Sequence, residues 1–266
     1  FMNEATRQKI MQNREILKGH GSWDVGAEPT DQQQKLPYLP PEKPPMSGNA
    51  PIPLPLDFEE SVEKKDLAEL IKERESQRSY AEEPITLKEL SFLLWAVQGV
   101  RKLAGKMKQV TFRTVPSAGS RHAMETYLFV RNVEGLKPGK YHYLAISHSL
   151  ELLEAGDFGE SLTEALCGQS FAGYAPVTFV FSAVPYRMEW RYGLQSAKYI
   201  LLDAGHAVEN LYLASGAVGC GPCAIGAYDQ ERLDELMGFA PGPSAEREYE
   251  CAIYAAPVGK IEKDAE

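Results

Sequence analysis

Arg74-Glu75-Ser76-Gln77-Arg78-Ser79-Tyr80 sets two guanidiniums and a hydroxyl at alternate positions. In an extended segment alternate residues point the same way, so Arg74, Ser76 and Arg78 can converge on one oxyanion. A guanidinium meets phosphate in a bidentate fork. The competing reading is a solvated Arg/Glu helix end. Four further stretches follow in order: Arg113-Thr114-Val115-Pro116-Ser117-Ala118-Gly119-Ser120-Arg121-His122, Leu202-Asp203-Ala204-Gly205-His206, Gly219-Cys220-Gly221-Pro222-Cys223-Ala224-Ile225-Gly226-Ala227-Tyr228, and Ala256-Pro257-Val258-Gly259-Lys260.

Around these stretches the chain is that of a globular protein. Its 266 residues, 44% hydrophobic, can form a sizeable core. A net charge of −9 argues against nucleic acid and anionic membrane surfaces as partners. No apolar run approaches the roughly 18 residues of a spanning helix. Phe1-Met2-Asn3-Glu4 lacks the basic-then-apolar pattern of a signal peptide, and Phe1 ahead of Met2 reads as an expression remnant. Cys167, Cys220, Cys223 and Cys251 are too few for a secreted disulfide framework. Together these point to the cytoplasm.

Residues 1–20 are polar and suit a short helix. Residues 36–57 are dense in proline, including Pro51-Ile52-Pro53-Leu54-Pro55, which forbids a helix and favours an extended arm. Such an arm either lies over a protein surface through Ile52, Leu54 and Leu56 or is a disordered lead-in. The chain thus divides into an arm over 1–57 and a domain over 58–266. Val62, Leu67, Leu70 and Ile71 predict a helix over 61–73. Thr86 with Glu89 three residues on is a capping box for a helix running to about Gly99. Strands are expected at 127–131, 141–145, 150–153, 177–184, 224–228 and 250–255, and helices at 157–168 and 230–237. The run 177–184 is continuously apolar, as in a strand buried on both faces. The helix over 196–217 is apolar nearly all round, so it belongs to the centre of the fold or to a subunit interface. The elements interleave without βαβ regularity, and the fold class is α+β.

Pro116-Ser117-Ala118-Gly119-Ser120 is a loop of small residues that lets backbone amides approach a planar ring, or else a tight turn. Cys220-x-x-Cys223 has no second pair and no histidines at ligand spacing, so no metal is expected and the thiols read as buried apolar groups. Asp203 and His206 share a helix side and read as buried, hydrogen-bonded groups, with Gly205 marking close helix packing. Tyr186-Arg187-Met188-Glu189-Trp190-Arg191-Tyr192-Gly193 reads as an aromatic-rich loop.

The ordered set of five motifs resembles the nitroreductase-type FMN flavoproteins over roughly residues 60 to 260, and within them the SagB-type dehydrogenase branch that includes azoline oxidases. The resemblance implies a central, mostly antiparallel sheet flanked by helices and an intertwined homodimer. It also implies FMN, with NAD(P)H as electron donor and a small molecule as substrate. On this likeness Arg74 and Ser76 hold the flavin phosphate, Arg78 lies by the pyrimidine edge, and Pro116, Ser117, Ala118 and Gly119 touch the isoalloxazine, commonly across the dimer interface. Arg121 and His122 follow this loop closely and can face ribityl or phosphate, or His122 is a structural histidine; on the likeness the backbone amide at Ile225-Gly226 points at N5 and Lys260 closes on the phosphate. Azoline dehydrogenases carry Lys-Tyr where this chain has Arg191-Tyr192. Arginine stays protonated and cannot act as a general base, whereas Tyr192 can still donate a proton. Three functions therefore compete: an FMN oxidoreductase of electron-poor acceptors, a peptide azoline dehydrogenase, and a flavin-binding protein with little turnover.

Overall fold

The computed structural model describes residues 3–19, 28–106 and 109–262; Phe1 and Met2 lie outside them. In chain order the helices are α1 Glu4–Asn13, α2 Leu67–Glu73, α3 Leu87–Gln98, α4 Gly159–Ala165, α5 Ser170–Gly173, α6 Tyr186–Tyr192, α7 Ser196–Ala217 and α8 Gln230–Met237. The strands are β1 Ile52–Pro53, β2 Val100–Ala104, β3 Val110–Arg113, β4 Met124–Val130, β5 Gly139–Leu144, β6 Ser149–Ala155, β7 Val177–Ala183, β8 Cys220–Pro222 and β9 Cys251–Lys260. One seven-stranded sheet has the order β1-β6-β5-β4-β7-β9-β8, each neighbouring pair antiparallel. β2 and β3 form a separate hairpin. The class is α+β, with helices on the faces of an antiparallel sheet.

Alternation along the strands gives the sheet two different faces. Met124, Leu128, Val130, Tyr141, Tyr143, Phe179 and Phe181 join Leu90, Leu93, Leu94 and Val97 of α3 and Ala204, Val208 and Leu211 of α7 in one core. On the other face Tyr127, Phe129 and Val180 meet Leu162 and Ala165 of α4, Ala172 of α5 and Leu233 of α8. β7, between β4 and β9, is buried along its whole length, so its sequence is mostly apolar and its two hydroxyls, Thr178 and Ser182, are hydrogen-bonded inside.

α3 starts on the expected capping box, with Thr86 accepting from Glu89 N and Glu89 accepting from Thr86 N. Other boundaries differ from expectation. The segment before Leu67 is a 3-10 turn, Phe58–Ser61, so α2 is shorter than 61–73. Around residues 220–228 the strand is Cys220–Pro222, and only Ile225 beyond it bridges, to Ala255. The final strand runs on to Lys260. Tyr186–Tyr192 is a helix and not a loop, its apolar pattern broken by the buried Arg187.

The proline-rich segment lies on the body of the protein. Ile52 and Pro53 pair with β6, and Leu54 is buried in the core under α3 and α7. Earlier in the arm, Lys43 N donates to Glu125 at 2.7 Å, and Met46 N and Ser47 N both donate to Glu151 Oε1. Asn49 Nδ2 reaches Leu152 O at 2.7 Å. Proline removes the donors that would make this segment a strand of its own, and the remaining N–H groups find side-chain acceptors on the sheet.

Candidate functional site

The segment after α2 is extended, as the alternation of Arg74, Ser76 and Arg78 requires. Gln77 N donates to Pro222 O and Ala81 N to Lys260 O, both at 3.0 Å, so the segment runs beside β8 and the end of β9. Two glycines allow this approach: a methyl at Gly221 would lie 2.3 Å from Gln77, and one at Gly259 would lie 2.6 Å from the Tyr80 ring. Ser76 Oγ lies 2.8 Å from Tyr212 Oη, which accepts from Ala224 N at 2.9 Å. The Arg74 guanidinium stands 5.1 Å over the Tyr212 ring. Burial raises the Cys223 thiol, while the charge of Arg78 and a bond from Ser76 draw it back. Arg74, Ser76 and Arg78 therefore meet at one corner, formed by Tyr212 and Cys223. Among the described residues no carboxylate pairs with Arg74 or Arg78.

Next to this corner Ile225 is locked to Ala255 through both backbone groups. Gly226 follows, exposed, with open space where a Cβ would stand. Among the described residues no acceptor faces its N–H.

The small-residue loop sits elsewhere. Ala118 N donates to Asp203 Oδ1 at 3.3 Å, and Ser117 Oγ accepts from His122 N at 2.9 Å. Pro116 is exposed at the start of this loop. Asp203 is buried, which raises its carboxyl, while Ser117 and Ala118 N lower it through hydrogen bonds. Gly119 has φ 55°, and a methyl there would lie 2.5 Å from Tyr192 Oη and 3.0 Å from Arg191 Nε. Tyr192 packs edge-on against Tyr199 at 4.8 Å. Tyr192 and Arg191 thus border the loop at the glycine that gives the closest backbone approach.

Asp203 and Tyr212 are nine positions apart on α7, which places them on opposite sides of the helix and about 13 Å apart along it. Within one chain the arginine corner and the loop are separated by α7. The outward face of α7 carries Leu201 and Leu202, 56% and 50% exposed, together with Gly205, His206 and Glu209. This corrects two expectations. His206 is exposed and not a buried partner of Asp203, and among the described residues nothing beyond Gly205's own stretch of helix comes within 4 Å of a Cβ placed on it.

Two other expected ligands point away from the corner. Lys260 Nζ donates to Glu89 Oε1 at 2.5 Å and to Val218 O at 3.1 Å, inside the protein. Its charge neutralises the capping glutamate of α3. Arg121 is buried, donating from Nε to Arg187 O at 3.0 Å, with its guanidinium 4.8 Å over the Trp190 ring. His122 stays neutral, pushed down to about 3 by burial and by the charge of Arg113. Tyr212 was not a sequence candidate. Its hydroxyl was the available signal, since a tyrosine half-buried on a core-packed helix usually finds a partner.

A model of the nitroreductase family matches residues 71–259. A relative from Methanocaldococcus jannaschii bearing a nitroreductase name is 32% identical over 182 residues, 68% of this chain and 89% of that one. Among solved structures, a nitroreductase-class protein of Anabaena variabilis superimposes with TM-score 0.69 at 25% identity over 94% of this chain. This chain spans 46% of the Anabaena chain. One from Ralstonia eutropha superimposes with TM-score 0.59 at 28% identity, covering 86% of this chain and all of the other. The chain belongs to the nitroreductase family and is an oxidoreductase by class. Among the described residues no helix is long and apolar enough to cross a membrane.

Proposed function

We propose that this protein is an FMN-dependent oxidoreductase that passes hydride from NAD(P)H to a small electron-poor acceptor of the nitro or quinone type. The observation that carries the reading is the corner where Arg74, Ser76 and Arg78 meet beside the free Gly226 amide. The fit to FMN is chemical. Two guanidiniums without carboxylate partners and one hydroxyl suit a terminal phosphate and an electron-rich ring edge. An unbonded, exposed N–H beside open space suits a flat ring that needs a donor. When bound, FMN supplies a two-electron centre that accepts and gives up hydride at N5. Arg74 and Ser76 bind the phosphate, Arg78 holds positive charge at the ring edge, and Gly226 N–H orients the ring. Tyr192 stands ready to give a proton to an acceptor beside Gly119.

The separation of corner and loop by α7 supports a homodimer in which the loop of one chain completes the corner of the other. The exposed leucines of α7 are the surface that such a dimer would cover. The division into an arm over 1–57 and a flavin domain over 58–266, and a cytoplasmic setting, belong to the same reading. A second reading, azoline dehydrogenation on a peptide, is favoured by Tyr192 at Gly119 and opposed by arginine at 191, which cannot take a proton. The test is an absorbance spectrum of purified protein before and after NAD(P)H, with chromatography of the heat-released cofactor. Yellow protein that bleaches, releases FMN and reoxidises with a nitro or quinone acceptor fits. FAD, or no flavin even after titration with FMN, overturns the reading.

A further inference from the structure

α6 has seven residues, too few to hold a helix unaided. Met188 anchors it in a small core with Ala183 and Ile200, and the arm supplies a second set of contacts. At its first residue, Tyr186 Oη donates to Asp31 Oδ2 at 2.6 Å. Near its end, Trp190 Nε1 donates to Leu36 O and Gln32 N donates to Trp190 O, both at 2.8 Å. The Tyr38 ring meets Trp190 edge-on at 5.8 Å. Between these points lies Glu125 on β4, fully buried. One oxygen, Oε1, accepts both from Arg187 Nη2 of α6 at 2.5 Å and from Lys43 N of the arm at 2.7 Å. Its other oxygen lies 3.0 Å from His142 Nε2. Helix and arm thus share one carboxylate oxygen. The free end of α6 is where Tyr192 and Arg191 abut Gly119.

We infer that arm residues 31–43 belong to the reaction apparatus: they clamp α6 and thereby hold Tyr192 and Arg191 against the Gly119 loop. Glu125 is a positioning residue, acting through Arg187 and Lys43. The inference rests on the proposed role of Tyr192 at the flavin. Its physical basis is that placing a proton donor is worth rate only when the donor is held, and a displacement of about 1 Å can cost on the order of a hundredfold.

The test uses the full-length, FMN-loaded protein. Asp31→Ala combined with Trp190→Phe deletes the acceptor for Tyr186 and the donor to Leu36 O, leaving the arginine corner and Gly119 untouched. Amide exchange over residues 187–193 should quicken roughly tenfold or more, while β7 stays protected. FMN affinity, read by fluorescence quenching, should not move. kcat/KM for the acceptor should fall roughly tenfold. Asp31→Asn, which keeps an acceptor, should retain the wild-type values. In a Tyr192→Phe background the arm variant should cause no further loss, because it acts through Tyr192. Should the double variant not fold, Asp31→Ala alone carries the same readings at smaller size. Unchanged exchange in α6 overturns the inference. So does faster exchange with wild-type kcat/KM, or an equal further loss in the Tyr192→Phe background. If Tyr192→Phe by itself leaves turnover untouched, the reading of Tyr192 falls and this use of the arm falls with it. The exchange data tell that failure from a failure of the clamp.

Discussion

Under α3 and α7 the central sheet presents Met124, Leu128, Val130, Phe179 and Phe181 to a core of aliphatic side chains. The opposite face of the same strands, at the end beneath the arm, presents Glu125, His142, Glu151 and Ser182. Glu250 joins them, accepting from Tyr127 Oη and Ser182 Oγ on one oxygen and from Lys43 Nζ on the other. The apolar face gains from every ångström of burial and asks only for shape. The polar face gives little net stability for its charges, because desolvation offsets attraction. What it provides is a docking address: the Lys43, Met46 and Ser47 amides of the arm meet its carboxylates.

That contrast is exposed to test at its strong end first. Phe179→Ala, on the apolar face, should lower unfolding free energy by about 3–5 kcal/mol, with the same loss at pH 5 and pH 8. Urea unfolding measures it, and a cost near 1 kcal/mol would mean that the face is loosely packed. Glu125→Ala should cost about 3 kcal/mol, because Arg187 is left buried and unpaired. Adding Arg187→Met to Glu125→Ala should recover much of that loss, since the unpaired charge goes. No recovery would show that the network stabilises by more than the pairing of its charges.

On the far side of the apolar core, α7 lends the polar Tyr212 to the arginine corner. Arg74→Ala should weaken FMN binding by about 1.5–3 kcal/mol, roughly 10- to 150-fold, without altering the unfolding midpoint of the flavin-free protein. Equal affinity in the variant and the wild type would sink the phosphate assignment. Dependence on pH should belong to the buried titratable groups and not to the apolar face. His122 is held neutral in the folded protein, pushed down to about 3 by burial and then by Arg113. From about pH 6.5 downward the unfolded chain takes up a proton that the folded one refuses, so stability falls as pH falls toward 3. Glu125 is desolvated, which raises it, yet Arg187 and His142 hold it down at about 2. Its contribution is present above about pH 4.5 and is lost as pH drops through 2. Between pH 7 and pH 4.5 the loss from His122 should be on the order of 2 kcal/mol. His122→Asn, a residue that tolerates the φ of 45° there, should flatten the slope.

Legibility in the sequence follows the same division. β7, α7 and α8 could be read because each follows one rule over many residues, and the capping box of α3 because Thr86 and Glu89 stand at a fixed spacing. The row of Arg74, Ser76 and Arg78 was legible because extended backbone converts spacing into direction. Glu125, His142 and Arg187 gave no signal, since a buried charge looks like a surface charge until its partners arrive from distant segments. α6 was hidden for that reason: Arg187 sits where the pattern wants an aliphatic residue. Lys260 misled in the opposite sense, because chain position cannot say that Glu89 lies 2.5 Å away.

The smallest effect is expected where the two chemistries touch, at Cys220 and Cys223. Burial pushes the Cys220 thiol up to about 12 and also raises Cys223. Thiols held up in this way are weak nucleophiles near neutral pH, which fits their reading as buried apolar groups. Cys220 lies in the apolar core with Val218 and Val258, where a serine hydroxyl lacks a partner, so Cys220→Ser should cost about 1 kcal/mol of stability. Cys223 borders Ser76, which can take up a new hydroxyl, so Cys223→Ser should be close to neutral. Both variants should keep wild-type flavin content and reduction by NAD(P)H, measured as flavin absorbance per chain and the rate of bleaching. Complete loss of reduction in a folded variant, or zinc at one equivalent per chain, would make the pair a redox or metal centre at the edge of the apolar core.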